Sequence, residues 1–398
     1  MNLQKLTIVG FLSLTFLSGC SWLGNKDEEI LEPAKLVDFD ETIELRRVWS
    51  ANVGDKAREY WTTLQPATSG DEVFAADHEG KVTALDALSG KKHWQVDLNV
   101  PVSGGVGYGS GLVVLGTIEG EVYALDAENG SLLWTAQVSS EVLASPAANA
   151  EIVLVHSIDN RLFALDASTG EELWQHDGDA PILSVRGTSS SVVLDNMVIS
   201  AFDTGKLIAF NPENGSLIWE ARLALPKGRT ELERMIDIDG SPLLVGDIIY
   251  SVSYQGRLGA LARGTGRNLW FQDSSSHHSP AHGDGKVFVS EAGGTVRAFQ
   301  AGSGQVVWSN EQLFLRGLTG PANFAGIVAV ADAEGYLHLL DQENGSFVGR
   351  IKVDSSGVSA PLLVTGNQLV VQANDGSLSA YKIPVSYTHL TLPTTPYV

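Results

Sequence analysis

Gly120-Glu-Val-Tyr-Ala-Leu-Asp126-Ala-Glu-Asn-Gly130-Ser-Leu-Leu-Trp134 is one of eight related copies in a chain of 398 residues. Upstream stand Gly80, Asp86, Gly90 and Trp94. Downstream stand Asn160, Asp166, Gly170 and Trp174, and then Gly205, Gly215 and Trp219. Gly256, Gly266 and Trp270 follow, and then Gly294, Gly304 and Trp308. A weaker copy runs from Gly335 through Asp341 and Gly345 to Arg350, and the last runs from Gly376 to Tyr381. The copies begin at 80, 120, 160, 205, 256, 294, 335 and 376, so the steps are 40, 40, 45, 51, 38, 41 and 41. A period near 40 with strand-type residues between glycines implies a propeller with one small sheet per repeat.

Within a copy, Val82, Ala84 and Asp86 alternate with Thr83 and Leu85, the period of a strand. The Asp and Gly that bound the next four residues suit a tight turn, since Gly accepts positive φ. The Trp four residues beyond that Gly falls on the following strand. Its ring can pack against a neighbouring repeat, which a lone four-stranded sheet requires because it cannot bury both faces. These rings are Trp94, Trp134, Trp174, Trp219, Trp270 and Trp308, with a degenerate position near Gly349-Arg350. The eighth hairpin has no Trp strand after it. At the other end of the chain, Leu45-Arg-Arg-Val-Trp49-Ser-Ala-Asn-Val53 is a strand without a hairpin. The expectation is an all-β, eight-bladed propeller over 43–384, its four-stranded antiparallel blades closed by this N-terminal strand with Trp49 as the last ring.

Residues 1–19 read as a signal peptide, with Lys5 before an apolar run from Leu6 to Leu17. That run is too short to span a bilayer permanently. Leu17-Ser-Gly-Cys20 resembles the bacterial lipobox, in which cleavage precedes a Cys that is then lipidated. Cys20 is the single cysteine of the chain, so no internal disulfide can form. Ser21 fits the rule for sorting to the outer membrane, which implies anchorage on its periplasmic face. Residues 20–42 are polar and acidic and read as a flexible tether. Residues 385–398 lie outside the repeat and resemble translated sequencing adapter, which implies a non-native tail. The formal charge of −21 disfavours nucleic acid or anionic lipid as a partner of the whole surface.

Function must come from departures from the repeat. The steps of 45 and 51 both expand the connection from a Trp strand to the next blade. The first expansion carries Leu183, Val185 and Arg186; the second carries Asp237 and Asp239. Neighbouring long loops on one face of a rigid ring are a place to build a binding site. Leu183 and Val185 would share a face of an extended segment, with Arg186 beside them. Asp237 and Asp239 would share another, opposite Ile236 and Ile238. An apolar pair flanked by charge suits a protein interface. Alternatively the apolar pair enters the core and Arg186 pairs with the aspartates. His277, His278 and His282 lack fixed-spacing Cys or acidic partners and read as a solvated Ser-rich loop. The glycines of 104–111 lead into a strand rather than a helix, which implies blade geometry rather than a phosphate cradle.

The lipobox, the repeats and the loop motifs together resemble the BamB lipoproteins of the outer-membrane β-barrel assembly machinery, over about residues 1–384. That resemblance implies a non-enzymatic scaffold without cofactors, docking on the periplasmic POTRA domains of BamA through Leu183, Val185, Arg186, Asp237 and Asp239. Unfolded outer-membrane proteins are a further implied partner. Val185 stands where the family often has Leu. Two alternatives are a peptide-binding periplasmic propeller independent of BamA and a quinoprotein dehydrogenase, whose repeats are similar. The dehydrogenases bind pyrroloquinoline quinone and calcium and carry an adjacent Cys pair, which this chain lacks.

Overall fold

The computed structural model describes residues 31–54, 64–179, 188–225, 229–230 and 236–384. The signal peptide, Cys20, Leu183, Val185, Arg186 and the tail at 385–398 lie outside the described residues.

Eight four-stranded antiparallel sheets follow one another along the chain, and no helix occurs among the described residues. Seven blades are continuous: 67–97, 102–137, 147–177, 192–222, 243–273, 281–310 and 322–352. The eighth takes three strands from 363–382 and its fourth from Arg46–Asn52, in the order Arg46–Asn52, Ser377–Lys382, Gln368–Gln372, Leu363–Thr365. Trp49 pairs with Ala380, as the other rings pair with the Ala of their own third strand, for example Trp134 with Ala124. The ring therefore closes by pairing of the two ends, as expected.

First strands of adjacent blades touch one another, which places them at the axis and the fourth strands at the rim. This layering changes the meaning of the repeat's alternation. In the inner strands both faces are buried, as in Lys81–Asp86, because a blade packs on each side. A clear alternation of dry and wet positions survives in the rim strands, such as Leu132–Gln137. Eight apolar clusters fill the eight interfaces between blades.

The Trp rings lock these interfaces in a repeated way. Each indole donates its Nε1 hydrogen to a carbonyl in the turn of the next blade, at Ala87, Ala127, Ala167, Pro212, Arg263, Ala301 and Gln342, over 2.7–2.9 Å. Beneath each ring sits the second glycine of that blade's copy, from Gly90 to Gly345, with φ between 65 and 75°. A Cβ there would lie within 2.7 Å of a ring carbon. Glycine is thus required twice over, by the backbone and by the ring. The glycines of 104–109 serve close approach as well. Most of that segment is itself a strand, Val102–Gly109, and a Cβ at Gly107 or Gly109 would strike the carbonyls of Pro146 or Ala148 in the next blade.

Candidate functional site

Antiparallel blades put two kinds of segment on one face of the ring: the turns between second and third strands, and the connectors to the next blade. The first residue of most copies organises this face. Its carbonyl accepts the amide that begins the connector, as in Gly80–Leu98, Gly120–Val138, Asn160–Gly178, Gly205–Leu223 and Gly335–Val353, over 2.8–2.9 Å. Seven of the eight first residues take positive φ there, Gly256 being the exception. Asn160 does so with φ 66°, consistent with the tolerance of Asn for left-handed backbone.

Asn160 also anchors the first expanded connector, since its buried side-chain amide donates to the Asp179 carbonyl at 2.5 Å. Asp179 in turn lies 3.2 Å from the Lys206 ammonium. Where the connector re-enters, Thr188 and Ser189 are buried. The Thr188 hydroxyl accepts from the Ala144 amide at 3.0 Å. Ser189 Oγ donates to the Gly240 carbonyl at 3.3 Å, which joins the ends of the two expansions. The two long connectors are therefore neighbours in space.

The second expansion returns through Ile236-Asp237-Ile238-Asp239-Gly240, and here the structure corrects the sequence expectation. The alternation does not separate a wet face from a dry one. Ile238 enters the core between blades four and five, Ile236 is buried over Gly205, and Asp237 has no exposed surface. The Asp237 carbonyl accepts from the Tyr254 amide at 2.7 Å in an isolated bridge. Asp237 is thus a buried group within the loop, not a charge on the rim of an interface.

Asp239 sits nearer the surface, its side chain 12% exposed. Its Oδ2 lies 3.2 Å from His277 Nδ1, while Oδ1 has no hydrogen-bond partner. Burial pushes this carboxyl above the ordinary range, and His277 works against that rise. The His277 ring stacks on Tyr254 with centroids 4.1 Å apart. Gly240 packs against the His278 backbone so closely that a Cβ would clash, and the Ser241 amide donates to Ser279 Oγ. The Ser-rich loop is therefore not simply solvated. It is the bed on which the Asp-Ile-Asp segment rests, and burial lowers His278 to about 4. His282 stacks on Tyr250 instead, with centroids 6.4 Å apart. Sequence reading missed Tyr254 and His277 as members of this site. The contacts cross between blades, and no spacing within one copy encodes them.

A quinone–calcium centre is the group this ring architecture raises as a possibility. Among the described residues no three His, Cys, Asp or Glu side chains are grouped so as to hold a metal ion.

Fold and face define the class: an eight-bladed propeller of PQQ-like repeats with a built-up face over blades three to six. Within that class the likeness to a methanol dehydrogenase containing europium, TM-score 0.68 at 14% identity over 82% of this chain and 84% of that one, is one of fold alone. The chain belongs to the family described as outer membrane protein assembly factor BamB, whose model matches residues 35–95, 78–310 and 292–384. It is 51% identical over 365 residues to the BamB of Pseudomonas aeruginosa, covering 92% of this chain and 95% of that protein. The crystal structure of BamB from Moraxella catarrhalis superposes with TM-score 0.78 at 30% identity, covering 85% of this chain and all of that one.

Proposed function

We propose that this protein is a non-enzymatic scaffold in outer-membrane protein assembly, held on the periplasmic face of the outer membrane by a lipid on Cys20. Its docking surface is the face of blades three to six, and its partner there is the POTRA region of BamA. The observation that carries the reading is the convergence of the two expanded connectors, tied through Ser189 and Gly240, beside the Asp-Ile-Asp segment. The family's relatives are named as assembly factors, which supports the same role.

The geometry suits a scaffold. Every blade interface is packed and seven of the eight are pinned by a Trp ring, so a loop borne on this ring loses little conformational freedom on binding. Asp239, His277 and Tyr254 offer a partly exposed carboxylate and an aromatic–imidazole stack beside it. Leu183, Val185 and Arg186 complete the surface in this reading.

The test is co-purification of residues 21–384 with the BamA POTRA segment, wild type beside Arg186→Glu and Asp239→Asn. Binding by wild type and its loss in either folded variant supports partner and site. Binding by all three would move the interface elsewhere. Failure of the folded wild type to bind would remove BamA as the partner.

A further inference from the structure

Blade seven breaks the pattern of the rings. Its rim strand carries Gly349 opposite Leu339, where every other blade has Trp opposite Ala. The turn on which such a ring would dock does not exist, because the third and fourth strands of blade eight come from opposite ends of the chain. A Cβ on Gly349 would lie 2.5 Å from the Ile43 carbonyl oxygen. The N-terminal segment fills the place of the missing ring.

That segment is fastened along its length. The amides of Thr42 and Ile43 both donate to the Val348 carbonyl, at 2.9 and 2.8 Å, and the Ala34 amide donates to Phe314 at 2.9 Å. Phe39 packs on Phe347, and the Arg350 guanidinium lies over both rings at 4.8 and 5.0 Å. Val37 and Phe39 reach the core between blades six and seven. Two arginines grip its carbonyls, Arg316 at Ala34 and Arg350 at Val37, each at 2.9 Å.

Those arginines end one buried network. Arg316 donates to Asp332 and Glu334, both at 2.7 Å, and the His338 ring joins Asp332 at 2.9 Å through Nε2. Arg350 Nε donates to His338 Nδ1 at 3.1 Å, which fixes the neutral tautomer with its hydrogen on Nε2. Residues counted as tether from their composition are therefore part of the ring from about Ala34 onward.

We infer that residues 33–43 are a strap that sets where, and how closely, the anchored N-terminus leaves the ring. The inference rests on the reading of Cys20 as the lipid anchor. With the strap seated, the thirteen steps from Cys20 to Pro33 span at most about 45 Å; with it free, the twenty-five steps to Leu45 span about 85 Å. The chain departs at the connector between blades six and seven, where Ala34 meets Phe314, on the face of the expanded connectors and about 90–135° around the ring from them, at about 45° per blade. The rim at blades six and seven is thus the part of the ring held within that reach of the bilayer, and the docking connectors stand farther round the same face.

The experiment uses the full lipidated chain in phosphatidylethanolamine–phosphatidylglycerol vesicles carrying an acceptor dye. A donor dye sits on one introduced cysteine, S303C on blade six or E128C on blade two. The disrupting variant, Val37→Ser with Phe39→Ala, alters only the strap, so the ring keeps its own residues. Expected is stronger transfer from position 303 than from 128 in the parent, loss of that difference in the variant, and faster hydrogen exchange of the Thr42 and Ile43 amides. Two results overturn the inference: the same transfer pattern in parent and variant, or parent amides at 42 and 43 that exchange like free chain. Failure of the parent to float with vesicles refutes the anchor on Cys20 alone, and the exchange rates then decide the strap.

Discussion

Replacing Gly345 by Ala measures how much one Trp–Gly contact holds the ring together. Gly345 has φ +72° and lies under the Trp308 ring, inside van der Waals contact of any added Cβ. Gly246 provides an internal control, with φ +57° and nothing within 4 Å of its Cβ. Left-handed backbone costs an Ala about 1–2 kcal/mol at either site. Overpacking against the ring adds about 1–3 kcal/mol at Gly345 alone. Gly246→Ala should therefore lose about 1–2 kcal/mol and Gly345→Ala about 2–5. The reduced freedom of the unfolded chain offsets both equally. Urea unfolding followed by Trp fluorescence reads the difference, provided the denaturant slopes agree. In a Trp308→Leu background the excess at Gly345 should vanish. Equal losses at the two glycines, or an excess that persists without the ring, would refute the claim that the rings pin the interfaces.

Three further outcomes follow from the described geometry. Asp237→Arg should cost about 3–5 kcal/mol or abolish folding, because it puts a new charge into a fully buried site; Asp239→Asn should melt near the parent. Thermal melting of both variants separates a fully buried residue from a partly buried one. His156 and His278 are held neutral by burial, each lowered to about 4. The unfolded chain takes those protons near 6.5 and the folded one only near 4, so stability is full above pH 6.5 and falls as pH drops toward 4. The loss is up to about 3 kcal/mol per histidine, and His156→Gln should flatten its share of the melting profile between pH 7 and 4. Deleting residues 43–53 removes the rim strand of blade eight with Trp49, and should abolish the single cooperative melt of the parent.

The ring was legible because each blade repeats the same demands. Positive φ at Gly80 or Gly120 and a bare Cα under each Trp can be met by few residues, so they recur in the text. The degenerate position at 349–350 was also visible, but its cause was not. Gly349 is small because the N-terminal segment crosses it, a contact more than 300 residues distant in the chain. The acidic composition of that segment suggested a tether, while the apolar positions that seat it, Val37, Phe39 and Ile43, are few. The site was harder still. Alternating Ile and Asp at 236–239 implies two faces, yet both are covered, one by blades four and five and the other by the loop carrying His277. Periodicity reports direction along a strand and says nothing of what a neighbouring blade lays on top.

The seam in blade eight has a consequence for how the molecule comes into being. Arg46 pairs with Lys382, so the sheet that completes the circle cannot form until nearly the whole chain has been made. Until then seven blades can stack in order as they emerge, each on its predecessor. The strand bearing Trp49 has no sheet to join, and blade one lacks the ring that covers Gly90. Closure is a contact of the longest sequence separation, which is entropically slow and leaves exposed strand edges while it waits. Closure therefore has to wait for the C-terminal hairpin, and a chain truncated by even that one hairpin has no partner for the strand bearing Trp49.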